Sequence, residues 1–212
     1  MAQLVKKEFQ LNIIYLIFII LFIPFSYVMD MPSTFIFIGA MLGFLFNAFY
    51  YDSKNHVNRL TASLPFRKKH VVLGKYVFFL IISAGFLLYL WLVDSIAHYG
   101  LPYLESQPLH WFLVLLIFAS IAIMLSISIP IYYLIQSYMK AFFVQIVFLF
   151  SIAFGIVIII ANPFIQVNDS IIRFILDIIA LQPVLIVVGF SFISLYLSYR
   201  LSTWIYIRKD II

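Results

Sequence analysis

The strongest constraint on the fold is a succession of apolar runs that are each long enough to cross a lipid bilayer. A helix of about 20 apolar residues spans the hydrocarbon core, and the 212 residues leave room for six such helices joined by short connections. We predict an all-α membrane protein with transmembrane helices at residues 13–29, 34–51, 71–93, 110–135, 141–161 and 183–204. Residues 1–212 then form a single transmembrane domain.

Composition excludes several other classes of protein. Hydrophobic residues make up 66% of the chain and charged residues 10%. Soluble domains are about one quarter charged, so no sizeable soluble domain fits beside the spans. The chain contains no cysteine, which excludes thiolate metal sites, thiol catalysis and disulfides.

Lysine and arginine are unevenly distributed between the predicted connections. These residues are retained on the cytoplasmic side of a membrane during insertion. If both termini are cytoplasmic, twelve of the thirteen fall on that side and only Arg173 lies outside. An odd number of spans would destroy this separation. We therefore predict a multi-pass protein of the plasma membrane with both termini in the cytoplasm.

Three segments outside the spans have distinct patterns. Residues 1–12 have an amphipathic period that predicts an interfacial helix leading into an uncleaved first span. Residues 94–109 contain glycine, prolines and acids, which predict a loop. Residues 169–179 are too short to cross the bilayer, and we predict a short extracellular helix there with Arg173 and Asp177 as a local ion pair.

Small and weakly polar residues mark where helices pack inside a bilayer. The second span carries such a face with Gly39, Gly43 and Asn47, and the last span carries another with Ser191, Ser194 and Ser198. Either face is a candidate for lining a substrate pathway or a dimer seam. Internal helix packing is the alternative, and it is the commoner role of such residues.

No catalytic or metal-binding pattern is present. The metalloprotease, nucleophile-elbow and phosphate-loop motifs are all missing. The four histidines are scattered over connections on both sides of the membrane, so they cannot converge on one metal. We predict no catalytic residue, no metal ligand and no cofactor in this chain. If the protein does ATP-driven work, another chain must bind the ATP.

The only long charged interval, residues 51–76, separates the second and third spans. Asp52 or Ser53 can cap a helix there. An apolar stripe follows on one face of that helix, formed by Val57, Leu60 and Leu64. Pro65 ends the helix, and a basic cluster comes next. A plain basic loop would explain the charge, but it would not need a capped helix with an apolar stripe.

The order of residues in this interval resembles that of small bacterial ABC-2 type permeases. The resemblance rests on Asp52, Asn58-Arg59, Ser63-Leu64-Pro65, Arg67-Lys68, Val71-Val72 and Gly74-Lys75-Tyr76. It implies an export half-transporter in which two permease subunits, identical or different, form the pathway. Each subunit would dock a separate cytoplasmic ATPase that holds ATP and Mg²⁺.

The same resemblance assigns roles within the interval. Val57, Leu60 and Leu64, ending at Pro65, would fill a groove of the ATPase. Asp52, Arg59 and Arg67 would be contacts at the rim of that groove. No acidic residue follows Asp52 in the loop, where related permeases often carry several.

The small size and the Ile, Phe and Lys-rich composition further resemble permeases of Gram-positive peptide exporters, such as phenol-soluble modulin exporters. This implies a hydrophobic or amphipathic peptide or toxin as substrate. Two other functions stay open. One is an ATP-independent membrane scaffold or immunity protein. The other is a membrane-embedded enzyme, which the absence of converging polar groups disfavours.

Overall fold

The computed structural model describes residues 2–55, 68–104, 108–135, 137–161 and 182–208. Within these ranges the regular secondary structure is helical and contains no strand. The helices are α1 (Ala2–Val28), α2 (Ser33–Lys54), α3 (Lys68–Gly100), α4 (Trp111–Leu134), α5 (Tyr138–Ala161) and α6 (Pro183–Arg208). The all-α prediction is confirmed for this part of the chain.

Five of the described helices are long and apolar enough to cross a membrane, namely α1, α2, α3, α4 and α6. Helix α5 is also apolar, over Tyr138–Ile152. The chain is therefore a multi-pass helical membrane protein. The count of six spans stays a prediction.

Helix α3 lies at the centre of the bundle, in contact with α1, α2, α4 and α6, while α4 and α6 form the most extensive helix pair. Phe44 of α2 packs against a run of aromatic rings on α3: Phe78, Phe79 and Phe86. These rings are buried, and their edge-to-face and tilted contacts supply the shape-specific packing on which bilayer helices depend. Helix α5 lies at the periphery, against α4 and α2.

The N-terminal segment differs from its prediction. Residues 1–12 were expected to form an interfacial helix distinct from the first span, but α1 runs without a break from Ala2 to Val28. The polar side chains Glu8 and Asn12 are buried against the bundle. The Asn12 side chain finds hydrogen-bond partners on α1 and α2, so it need not face water.

Two helix boundaries also differ from those predicted. Helix α2 extends to Lys54, so Asp52 lies inside it and caps no loop helix. Helix α3 continues to Gly100, well past the predicted end at residue 93. Asp94 had marked the start of a loop, yet its carboxylate accepts hydrogen bonds from Tyr27 and from the backbone N–H of Leu109. A satisfied acid can stay in a helix at the membrane boundary.

Candidate functional site

Charge is concentrated at one end of the bundle, which we call the basic end. It is formed by the start of α1, α3 and α5 and by the end of α2, α4 and α6. Every lysine and arginine in the described part of the chain lies in the half of its helix nearest this end: Lys6, Lys7, Lys54, Lys68, Lys69, Lys75, Lys140, Arg200 and Arg208. The charged interval leaves α2 and enters α3 at this same end.

A buried ion pair stands at the base of the interval. Asp52, in the last turns of α2, pairs with Lys75 of α3. Asp52 is 5% exposed and Lys75 is 7% exposed. The Lys75 ammonium also lies 4.7 Å from the centre of the Phe49 ring, so the two helices are joined by an ionic contact and a cation–π contact together.

An aromatic stack continues from this pair toward the periphery. Phe49 lies flat against Tyr132 of α4, with ring centres 3.8 Å apart and planes 8° apart. Tyr132 in turn faces Tyr138 at the start of α5, at 6.1 Å. A small recess opens between these rings and the ion pair. The Tyr132 hydroxyl is buried and has no hydrogen-bond partner among the described residues.

A second acid lies in the same layer. Glu8 of α1 is 8% exposed, and one of its carboxylate oxygens lies 3.7 Å from the Lys7 ammonium. Its neighbour Phe9 packs on Phe78, one turn along α3 from Lys75, at 5.3 Å between ring centres. The Glu8 carboxylate interacts electrostatically with Lys75. Lys75 therefore pairs with an acid of α2 and is influenced by an acid of α1.

Hydrogen bonds join α3, α4 and α6 next to the ion pair. The Ser198 hydroxyl donates to the Ser126 carbonyl at 2.7 Å, which uses its single proton. Tyr76 must therefore donate to Ser198, at 2.5 Å, and Ser202 must donate to Tyr76, at 2.9 Å. The hydrogen bonds therefore run in one direction, from Ser202 through Tyr76 and Ser198 to the Ser126 carbonyl of α4.

The residues predicted on the second span separate into different environments. Asn47 donates to the Asn12 side chain at 3.1 Å, which links α2 to α1. Gly43 lies directly against the Tyr15 hydroxyl. Gly39 is exposed, and no atom lies within 4 Å of the position of a β-carbon.

The serines predicted on the last span also separate. Ser198 joins three helices, as described above. Ser191 and Ser194 donate to carbonyls of their own helix, those of Val187 and Ser191. The contacts seen for Ser198, Asn47 and Gly43 are internal helix packing, the alternative considered for these faces.

The residues predicted to dock the ATPase are mostly outside the described ranges: Val57, Arg59, Leu60, Leu64, Pro65 and Arg67. The exception is Asp52, whose carboxylate is buried against Lys75. A rim contact is expected at the surface, so the buried position of Asp52 differs from the predicted one.

Sequence reasoning missed the other members of the site. Lys75 had appeared only among the residues that carry the family resemblance, and Glu8 and Tyr132 had no assigned role. A signal was present, because Asp52 and Lys75 are opposite charges placed just inside the two apolar runs that flank the interval. The contacts show what the arrangement does: it ties the end of α2 to the start of α3.

A family model described as an ABC-2 family transporter protein matches residues 3–207 of the chain. Neither the curated proteins nor the solved structures give a significant match.

Proposed function

The chain belongs to the ABC-2 family of transporter proteins, and on this premise we propose that it is the permease subunit of an ATP-driven exporter. The match spans nearly the whole chain, and it is the observation that carries the proposal. It also confirms, at the level of the family, the resemblance found in residues 52–76. The chain is a transport subunit of the membrane, and the ATP and Mg²⁺ belong to a separate cytoplasmic ATPase.

The interval between α2 and α3 is the proposed docking element. It leaves and re-enters the bundle at the basic end, where Asp52 and Lys75 join the two helices. In this proposal Leu60, with Val57 and Leu64, fills a groove of the ATPase. A push on the interval then reaches α2 and α3 as one unit because they are tied at its base.

The proposed orientation places the basic end in the cytoplasm of a plasma membrane. Lysine and arginine stay on the cytoplasmic side during insertion, and the described ones all lie toward this end. Both termini are then cytoplasmic and α5 is the sixth span. A second permease subunit, identical or related, completes the transport pathway.

The proposed cargo is a hydrophobic or amphipathic peptide or toxin. The support is chemical: aromatic residues make up 19% of the chain, and the described part of the bundle has a buried charged site only at the helix ends. Such a bundle suits an apolar cargo better than an ion, because ion pathways place ionisable groups at the membrane centre.

The decisive test is capture of the ATPase. The permease is co-expressed with a candidate Walker-type ATPase, sought in the adjacent reading frames, and purified in detergent. Wild type should retain the ATPase, and Leu60→Asp should lose it because a charge enters the apolar stripe. Asn58→Asp adds the same charge beside the stripe and is the matched control. Retention of the ATPase by Leu60→Asp would contradict the docking role.

The same system separates export from ATP-independent sequestration. Cells that carry the permease and an ATPase unable to hydrolyse ATP are challenged with the toxic peptide. Export predicts loss of protection with the inactive ATPase. Protection that persists would identify a scaffold or immunity protein that binds the peptide without transporting it.

A further inference from the structure

Charged side chains are rare in this chain, and a buried pair of them is costly. Asp52 and Lys75 are almost fully buried at the membrane boundary, where each ion gives up hydration free energy that the pairing only partly returns. Ionisable residues placed inside membrane helices are expected to serve a function rather than simple packing. The proposed docking role uses the pair only as a tie between α2 and α3 and does not explain why that tie is ionic.

Stability alone does not account for the pair. Replacing a buried ion pair by apolar residues of similar volume is often neutral or stabilising, whereas removing one partner is strongly destabilising. An ion pair adds positional specificity, because its two charges meet in only one relative position of the two helices. Phe49 reinforces this, because the Lys75 ammonium lies over its ring as well.

We propose that Lys75 is a positioning residue that fixes the end of α2 against the start of α3. Asp52 is its partner, and Glu8 is a second acid that acts on Lys75 electrostatically. The docking of an ATPase rests on the proposed function above, but the positioning of α2 against α3 does not.

Spin labels measure the positioning in the permease alone. The chain has no native cysteine, so Lys54→Cys and Lys69→Cys, both at exposed positions on α2 and α3, can be labelled without other changes. The distance distribution between the labels is then recorded by double electron–electron resonance in detergent or nanodiscs. Wild type should give one narrow distribution.

Four variants distinguish positioning from packing. Lys75→Met should broaden the distribution most. Asp52→Asn should broaden it less, because the amide oxygen can still accept a hydrogen bond from the ammonium. Asp52→Leu/Lys75→Met should keep a thermal midpoint within a few degrees of wild type and still broaden the distribution. The exchanged pair Asp52→Lys/Lys75→Asp should restore the narrow one.

A matched control lies at the opposite end of the bundle. Tyr27→Phe removes a hydrogen bond to the buried Asp94 and should leave the distance between the labels unchanged. A narrow, wild-type distribution in Asp52→Leu/Lys75→Met would overturn the proposal, since it would show that packing alone fixes the two helices.

Coupling is read in the co-purified complex. Asp52→Leu/Lys75→Met should still retain the ATPase. The factor by which the permease changes the rate of ATP hydrolysis should fall about tenfold, a typical size for coupling between sites. Lys75→Arg should keep most of the response. An unchanged response in the double variant counts against positioning. If wild type retains no ATPase, the proposed function fails, and the spin-label distances still decide the positioning.

Discussion

Gly39 and Gly43 are equivalent in the sequence, one helical turn apart on the same run, but the structure gives them opposite surroundings. Gly43 lies where α1 crosses α2, and the Tyr15 hydroxyl occupies the space of its missing side chain. Gly39 has open space around it. The close approach of α1 to α2 therefore depends on only one of the two glycines.

Alanine substitutions should separate these glycines. Gly43→Ala should lower the free energy of unfolding by about 1 kcal/mol, because overpacking costs ~1–3 kcal/mol and the better helix propensity of alanine returns part of it. Gly39→Ala is the matched control, with an expected change between zero and a gain of about 1 kcal/mol. Thermal unfolding in detergent measures both.

A double variant tests the cause. Tyr15→Phe removes the hydroxyl that meets the new methyl group, so Gly43→Ala/Tyr15→Phe should unfold at a higher temperature than Gly43→Ala. Equal destabilisation by alanine at both glycines would show that the helix crossing does not depend on Gly43.

At the scale of the element, the end of α1 shows how a short sequence signal becomes a turn. The Met31 N–H bonds to the Ser26 carbonyl at 3.1 Å, and the Asp30 N–H bonds to the Tyr27 carbonyl at 3.0 Å. These are the two bonds of a Schellman motif, which requires a left-handed residue after the helix. Asp30 fills that position with φ of 50°, and Asp tolerates this conformation better than most residues.

Substitutions at Asp30 should follow the cost of the left-handed conformation. Asp30→Gly should stabilise the protein by up to about 1 kcal/mol, because glycine adopts positive φ without steric cost. Asp30→Val should destabilise it by about 1–2 kcal/mol, because a β-branched residue is strained there. The order Gly, Asp, Val in thermal midpoint is the expected result. A reversed order would mean that the Asp30 side chain, not its backbone, stabilises the turn.

Comparison of the predicted helix boundaries with those of the structure shows what the sequence could predict. Helices α4 and α6 begin within a residue of their predicted starts, because apolar runs and flanking prolines mark them directly. The ends of α2 and α3 could not be placed, because charges there looked like loop residues. Asp94 and Asp52 lie inside helices only because partners far along the chain, Tyr27 and Lys75, bond to them. Such partners are a property of tertiary packing that periodicity does not contain.

For the molecule as a whole, the two ends of the bundle hold their acids in different ways. At the basic end, Asp52 of α2 pairs with Lys75 of α3. At the other end, Asp94 accepts from the Tyr27 hydroxyl and from the Leu109 N–H, both at 2.8 Å. Those bonds tie α1 and the connection before α4 to α3. The end opposite the basic end is thus held by hydrogen bonds, and the basic end is held by an ion pair.

The orientation of this bundle in the membrane is open to a direct test, since the chain offers a background without cysteine. Helix α3 carries an exposed residue near each end, Lys69 at the basic end and Tyr99 at the other. A membrane-impermeant maleimide should label Tyr99→Cys on intact cells and should label Lys69→Cys only after the membrane is permeabilised. This follows because basic residues are retained in the cytoplasm. Labelling of Lys69→Cys on intact cells would invert the topology and place the interval, with its docking role, on the wrong side of the membrane for an ATPase.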